Sequence, residues 1–225
     1  QGDEGGVRSV IKDGNRLIGS LDQSSQEVRL MAELSQDPGL LSCYLGDNLR
    51  DTHSLVAHRI AKVTYEEFMV MRKSENKEVA TKANSIRQIS KQVFFGYLFG
   101  SAAPKTAETL GISVEEAQGY IDAIEKAFPG IKTYQEASSN MAETQGWVPI
   151  LGGTKRHLAE LVNSDDSWTA SKALRQAGNA RIQGAAANQI KTVMSDIWDS
   201  DLLDSSSFKW VFPCHDEIVV STDKK

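Results

Sequence analysis

Two acidic stretches that lie 194 residues apart contain the side chains best suited to chemistry in this chain. The first contains Asp22, and the second contains Asp216 followed by Glu217. Each stretch adjoins an apolar run typical of a strand, so a sheet that pairs the two strands would bring Asp22 and Asp216 together. Carboxylate oxygens are ligands that Mg²⁺ prefers. The pattern therefore predicts a site for two Mg²⁺ ions about 4 Å apart, an arrangement that supports in-line attack at phosphorus.

Short strands are predicted to carry the first of these carboxylates. Arg8–Ile11 and Arg16–Leu21 have the character of strands, and Asp13–Asn15 between them is a strong turn signal. Apolar side chains then recur at helical spacing from Gln26 to about Leu34. Asp22 would therefore stand at the carboxyl end of a strand, where the chain passes directly into a helix.

The middle of the chain is predicted to be almost entirely helical. The predicted helices there are Thr52–Ala61, Tyr65–Met71, Glu78–Gly100, Ser113–Phe128 and Ile131–Thr144. They are followed by a Gly-Gly turn within Pro149–Thr154, a helix from Ser171 to about Trp198, and a hairpin with His215 and Asp216 at its tip. The predicted fold class is therefore mixed α/β, in which a sheet platform bears a large helical subdomain.

The composition is that of a globular protein. The 225 residues are 40% hydrophobic and 24% charged, and no run of 18 apolar residues predicts a membrane span. Cys43 and Cys214 are spaced for neither a zinc site nor a disulfide framework, so we expect a reducing intracellular compartment. The net charge of −5 does not exclude nucleic-acid binding, because phosphate neutralisation is local. The chain begins without Met or a signal peptide, and we expect it to be a fragment.

A helical segment between the acidic stretches adds a second kind of chemistry. Four of its residues follow one another at intervals of four: Arg87, Lys91, Phe95 and Phe99. On an α-helix they line one face, with the cations first and the aromatic rings after them, over roughly 12 Å from Arg87 to Phe95. That order suits a triphosphate and a stacked base. The alternative is an ordinary amphipathic helix with its phenylalanines in a core, but the joint presence of the acidic stretches favours a nucleotide.

Three motifs in this order resemble motifs A, B and C of the family A DNA polymerases. They are Asp22-x-Ser24-x-x-Glu27-x-Arg29, Arg87-x-x-x-Lys91-x-x-x-Phe95-Gly96-x-x-Phe99-Gly100 and His215-Asp216-Glu217. The resemblance covers nearly the whole chain and implies part of a right-hand polymerase fold. An antiparallel palm sheet would comprise residues 1–44 and 146–225, truncated at the C-terminus, and a helical fingers subdomain would comprise residues 45–145, with the motif B helix at 85–100. The thumb and exonuclease would be absent from this chain.

The resemblance implies a template-directed DNA polymerase, a nucleotidyltransferase that adds deoxynucleotides to a primer 3′-hydroxyl with two Mg²⁺ ions. The implied metal ligands are Asp22, Asp216 and the backbone carbonyl of Gln23. The implied catalytic residues are Asp22, Asp216, Glu217 and Lys91, with Glu217 in a supporting role. The implied partners are a DNA primer-template and deoxynucleoside triphosphates, without a membrane, and the resemblance specifies no accessory processivity factor.

The resemblance also implies which side chains contact the substrates. The implied nucleotide-binding residues are Gln23, Glu27, His53, Arg87, Lys91, Phe95 and Phe99. Arg87, Lys91 and His53 would contact the phosphates, Phe95 would stack on the nucleotide, and Glu27 would occupy the space that a ribose 2′-hydroxyl needs. The residues implied to face the primer-template are Arg175, Asn179, Gln183 and His215.

Several positions depart from the family pattern. Phe99 stands where Tyr is usual, which predicts weaker checking of the sugar and the base pair. Phe95 is the family's alternative to a Tyr that accepts dideoxynucleotides readily, which predicts discrimination against chain terminators. Gln23 replaces the usual Tyr or Ala, and the usual Asp after the pair Ala185-Ala186 corresponds to Asn188, one Ala later. Polymerase chemistry is compatible with all of these changes.

Three other functions are compatible with parts of the pattern. A single-subunit RNA polymerase-like enzyme shares the palm and the motif B helix, but Glu27 and Glu217 favour DNA synthesis. A catalytically inactive DNA-binding fragment would keep the motifs without turnover, and the fragment alone is expected to bind a primer-template poorly. A metal-dependent nuclease would use the carboxylates but not the Arg-Lys-Phe face. The expected setting is the cytoplasm of a bacterium or a phage-infected host, with an organelle as the alternative.

Overall fold

The computed structural model describes residues 14–47, 49–200, 207–215 and 217–223. The strands are β1 (Leu17–Asp22), β2 (Trp147–Pro149), β3 (Lys155–His157), β4 (Phe208–Cys214) and β5 (Glu217–Thr222). The helices are α1 (Gln26–Ser35), α2 (Pro38–Leu41), α3 (Thr52–Ile60), α4 (Tyr65–Arg72), α5 (Lys77–Leu98), α6 (Ala103–Leu110), α7 (Val114–Ala127), α8 (Pro129–Gln145), α9 (Ala159–Val162) and α10 (Ser167–Trp198). The predicted strand at Arg8–Ile11 and the predicted metal ligand Asp216 lie outside the described residues.

An antiparallel sheet in the order β1-β5-β4 joins the two ends of the chain. The apolar run Ile218–Val220 in the central strand β5 is buried. Strand β1 pairs with β5 from Leu17 opposite Thr222 to Asp22 opposite Glu217. The predicted pairing of the two acidic strands is therefore confirmed, as are the predicted hairpin of β4 with β5 and the mixed α/β class with an antiparallel sheet.

The chain forms two compact units. The first comprises residues 1–27 and 184–225 and contains the three-stranded sheet. The second comprises residues 28–183 and contains helices α2 to α9 with the antiparallel hairpin of β2 and β3. These limits are not the predicted palm and fingers boundaries at 44/45 and 145/146, which stay a prediction.

Local sequence sets several helix ends in the second unit. Asp51, Thr64 and Ser113 each accept a hydrogen bond from the backbone N–H three residues on, as N-cap residues do. Phe128 ends α7 and precedes α8, because Pro129 has no N–H to continue the first helix but suits the start of the second. The predicted helices of this region are confirmed within a few residues at each end, whereas α2, α6, α9 and the β2–β3 strands were not predicted.

Two of the buried clusters among the described residues lie in the second unit. Ala57, Phe68 and Ala83 join α3, α4 and α5. The other cluster lies around α8 and the N-terminal part of α10, and its members are Ala142, Val148, Leu158 and Ala177. In the part of the chain that the structure describes, no helix is both long enough and apolar enough to cross a membrane.

Candidate functional site

Two carboxylates occupy directly opposite positions at one end of the sheet. Asp22 is exposed at the last position of β1, and Glu217, only 7% exposed, is the first residue of β5. Opposite residues of an antiparallel pair project from the same face with Cβ atoms about 5 Å apart, and like charges there repel each other. A divalent cation relieves such repulsion, and carboxylate oxygens are the donors that Mg²⁺ takes. The residues present therefore fit the implied metal, and Asp216 lies outside the described residues.

The turn between β1 and α1 is fixed by a residue that the sequence interpretation missed. Gln26, 5% exposed, donates from Nε2 to the carbonyl of Ala186 at 3.3 Å and to Oε1 of Gln189 at 3.1 Å. Its backbone N–H donates to the carbonyl of Gln23 at 3.3 Å, and that oxygen keeps a second lone pair for the implied metal. The sequence carries no signal for this role of Gln26, because the burial of its side chain is visible only in the packed structure.

The predicted nucleotide face of α5 adjoins the side of the helix that packs into the core. The buried residues of α5 are Ala83, Ser90, Val93, Phe94, Tyr97 and Leu98. Of the predicted residues, Lys91 is exposed and Arg87 and Phe95 are half-buried, as is Phe99, the C-cap that follows Leu98. The rings of Phe95 and Phe99 stack with their centroids 6.4 Å apart. The fully buried phenylalanine of this helix is Phe94, whereas Phe95 and Phe99 keep part of their surface exposed.

Arg87 is held by a carboxylate to which the sequence interpretation gave no role. Its Nε and Nη2 donate to the two oxygens of Asp51 at 2.7 and 2.8 Å. Arg72, the last residue of α4, approaches the same carboxylate at 3.4 Å. Burial opposes ionisation of Asp51, but the hydrogen bonds from Arg87 and Ser54 outweigh it and hold the pKa of Asp51 well below its usual range. The available signal was the position of Asp51 directly before a helix, which predicts only a cap.

His53 lies in the first turn of α3 and is 8% exposed. Its ring centroid is 5.6 Å from that of Phe94 and 5.8 Å from that of Phe95. Among the described residues, no atom forms a hydrogen bond with its Nδ1. Burial, assisted by the charges of Arg87 and Lys91 and opposed by that of Asp51, lowers the pKa of His53 to about 4. The imidazole is therefore neutral at pH 7, and its Nδ1 is buried.

Amide side chains from α8 and α10 cap the C-terminal end of α5. Gln135 donates to the carbonyl of Tyr97 at 3.0 Å, and Asn179 donates to the carbonyl of Phe99 at 3.1 Å. The last carbonyls of a helix lack partners within the helix, and these side chains bond to two of the carbonyls at this end. The chain then turns at Gly100, whose φ of 81° is one that glycine adopts readily.

The predicted DNA-binding residues lie in both units. Arg175, Asn179 and Gln183 recur every four residues on α10, so they share one helix face, and Arg175 and Gln183 are exposed. Arg175 also lines a cavity of about 270 Å³ beside Gly100 and α8. His215 is exposed in the turn after β4, with a left-handed φ of 55°. Arg175, Gln183 and His215 are accessible to a ligand, whereas Asn179 is half-buried, and the DNA contacts of all four stay a prediction.

Comparison with known proteins identifies what this chain is similar to. The sequence pattern of the family described as DNA polymerase family A matches residues 6–225. DNA polymerase I of Pseudomonas aeruginosa is 31% identical over 212 residues, which are 94% of this chain and 21% of that protein. DNA polymerase theta of Drosophila melanogaster is 29% identical over 215 residues, which are 92% of this chain and 10% of that protein.

A solved structure agrees with these sequence relatives. The POL domain of Pol1 from M. smegmatis, in complex with DNA primer-template and dNTP, superimposes with a TM-score of 0.73 at 29% identity. The match covers 93% of this chain and 34% of that chain. The chain spans about a fifth of the length of the DNA polymerase I proteins of Borreliella burgdorferi, Pseudomonas aeruginosa and Bacillus subtilis.

Proposed function

The chain belongs to DNA polymerase family A, and we propose that it supplies the catalytic core of a template-directed DNA polymerase. That core adds deoxynucleotides to a primer 3′-hydroxyl. The observation that carries the proposal is the predicted nucleotide face of α5, where the cations Arg87 and Lys91 precede the half-buried rings of Phe95 and Phe99. A metal-dependent nuclease has no use for such a face. DNA polymerase I relatives and a structural neighbour in complex with primer-template and dNTP support the same function.

We propose that Asp22 and Asp216 hold two Mg²⁺ ions, with the backbone carbonyl of Gln23 as a further ligand. When bound, the ions supply Lewis-acid activation of the 3′-hydroxyl and charge neutralisation on the triphosphate. Glu217, opposite Asp22 in the sheet, adds negative charge at the same end and supports the site.

In the proposed nucleotide site, Arg87 and Lys91 bind phosphate oxygens as cations, with Lys91 also taking part in the catalytic step. His53 contributes a neutral imidazole whose Nδ1 has no partner among the described residues. Phe95 stacks on the nucleotide, and Phe99 lies against it, with ring centroids 6.4 Å apart. Glu27, in the first turn of α1, occupies the place of a ribose 2′-hydroxyl.

We propose that a DNA primer-template is the macromolecular partner and that Arg175, Asn179, Gln183 and His215 contact it. Contacts of this kind to backbone and minor groove position DNA without reading its sequence. The free thiols of Cys43 and Cys214, together with the bacterial relatives, support an intracellular location.

Primer extension by the full-length gene product tests the proposal. We expect Asp22→Ala and Asp216→Ala each to abolish Mg²⁺-dependent extension, because each removes a metal ligand. Asp122→Ala, which removes an exposed carboxylate of α7, is the matched control and should extend primers normally. Undiminished extension by either metal-ligand variant would refute the proposal, and equal use of ribonucleotides would favour an RNA polymerase-like enzyme instead.

A further inference from the structure

The carboxylate of Asp51 connects three helices of the second unit. It caps α3 by accepting a hydrogen bond from the N–H of Ser54 at 3.0 Å. It accepts two hydrogen bonds from Arg87 of α5, and Arg72 of α4 approaches it at 3.4 Å. Its own backbone N–H donates to the hydroxyl of Tyr65 at 3.0 Å. These bonds leave the carboxylate of Asp51 little freedom to move. It can therefore fix the orientation of the Arg87 guanidinium.

The contact with Arg87 uses one edge of a planar group. A guanidinium carries five N–H donors in a rigid fork. Asp51 takes the Nε donor and one donor of Nη2, and no described residue accepts a hydrogen bond from Nη1. The edge formed by Nη1 and the remaining Nη2 donor therefore has the geometry that binds a phosphate through two parallel hydrogen bonds.

The local charge remains favourable for an anion. Two arginines, Arg72 and Arg87, adjoin one carboxylate, so the cluster is net cationic although Asp51 is ionised. Arg72 also donates to Ser54 at 3.0 Å and to Asn84 at 3.1 Å, which keeps it in place beside Asp51. Asp51 therefore orients Arg87 without cancelling the positive charge of the cluster.

We propose that Asp51 is a positioning residue that fixes Arg87 so that its second edge is presented to the phosphates of the incoming nucleotide. The proposal rests on the nucleotide-binding role of Arg87 in the proposed function. Because the same carboxylate starts α3, it also sets the place of His53 two residues later. The side chain of Asp51 thereby positions two phosphate-binding residues, Arg87 on α5 and His53 on α3.

A double-mutant cycle in the full-length gene product tests the proposal. Calorimetric titration with dATP and Mg²⁺ gives the affinities of the unaltered protein, Asp51→Asn, Arg87→Ala and the double variant. In the otherwise unaltered protein we expect Arg87→Ala to weaken dATP binding by about tenfold or more. Such a loss corresponds to one hydrogen bond to a charged group. In the Asp51→Asn background we expect the same change to weaken binding by less than about threefold, because the untethered Arg87 contributes less there.

The cycle separates orientation from simple repulsion. Asp51 also repels phosphates directly, but that repulsion acts whether or not Arg87 is present and so cancels in the cycle. An equal loss from Arg87→Ala in both backgrounds would overturn the positioning role. If Arg87→Ala has no effect even in the otherwise unaltered protein, the nucleotide-binding role of Arg87 is wrong, which is a failure of the proposed function and removes the basis of this inference.

A second aspartate provides a matched control. Asp37 is 1% exposed and accepts hydrogen bonds from Leu40 N–H at 2.8 Å and Gly130 N–H at 2.7 Å. Asp37→Asn removes a capping charge that contacts no arginine among the described residues, so we expect the loss of affinity caused by Arg87→Ala to stay unchanged in that background.

If circular dichroism shows that Asp51→Asn is unfolded, the affinity of Arg87→Lys for dATP tests the proposal instead. Lysine keeps the positive charge but lacks the fork of donors. Weakening by about tenfold then supports the proposal, and binding within about threefold of the unaltered protein overturns it.

Discussion

Acidification is expected to destabilise this protein through His53. The imidazole is 8% exposed and has no hydrogen-bond partner for Nδ1 among the described residues. Burial and the nearby cations Arg87 and Lys91 disfavour a proton on it, so its pKa is about 4 in the fold against an ordinary value of 6.5. Folding therefore requires the neutral imidazole over a range of pH in which the unfolded chain would be protonated.

The size of this effect follows from the two pKa values. Between pH 6.5 and about 4 the unfolded state binds a proton that the folded state does not, so the free energy of unfolding falls as the pH is lowered. The interval, at about 1.36 kcal/mol for each pH unit, amounts to about 3 kcal/mol. The stabilisation that depends on the neutral imidazole of His53 is fully present above pH 6.5 and is lost by about pH 4. Asp51, whose pKa is depressed below 3.8, acts only at lower pH, so the two effects occupy different windows.

Urea unfolding followed by circular dichroism between pH 7.5 and 4 measures the effect. We expect the unaltered chain to lose about 3 kcal/mol more than His53→Gln over this range, since glutamine binds no proton. His157→Gln, at an exposed position of β3, controls for the loss of an imidazole from the chain and should follow the unaltered protein. Parallel curves for the unaltered chain and His53→Gln would show that the imidazole does not resist protonation in the fold.

Two further substitutions test the assignment of the nucleotide site. Glu27→Ala in the full-length gene product should raise ribonucleotide incorporation by at least about tenfold relative to deoxynucleotides, since a steric block is removed; an unchanged ratio in primer extension contradicts that role. Phe94→Ala should cost about 3–5 kcal/mol in urea unfolding because Phe94 is fully buried. Phe95→Ala should cost clearly less, because Phe95 is half-buried, and should instead weaken dATP binding to the full-length gene product. Equal stability losses for the two variants would mean that Phe95 belongs to the core.

Helix positions were predictable from sequence because the interactions that set them are local. Ser113 and Asp51 are cap residues that bond to backbone three positions on, and Phe128-Pro129 stops one helix and starts the next. The four-residue spacing of Arg87, Lys91, Phe95 and Phe99 specified their shared face as soon as α5 was recognised as a helix. Short elements such as α6 and the β2–β3 hairpin were missed, since three to eight residues carry too little periodicity to be distinguished from loops.

Contacts between residues far apart in the sequence were predictable only in part. The pairing of β1 with β5 was predicted from the acidic stretches, but the register that places Asp22 opposite Glu217 came from the structure. Neither the tether between Gln26 and α10 nor the caps that Gln135 and Asn179 place on α5 had any signal in the sequence. These bonds form between side chains whose neighbours are set by packing.

The sequence by itself determined the family, the candidate metal and nucleotide ligands, and most helices, because motif order and helix capping are properties of short segments. Only the tertiary structure decided that Phe94 enters the core while Phe95 does not, and that Asp51 holds Arg87 across 36 residues of chain. The physical reason is that burial and ion pairing depend on which surfaces meet after the chain has closed its long loops. A local pattern can name the residues of a site, but the tertiary fold sets their charge state and orientation.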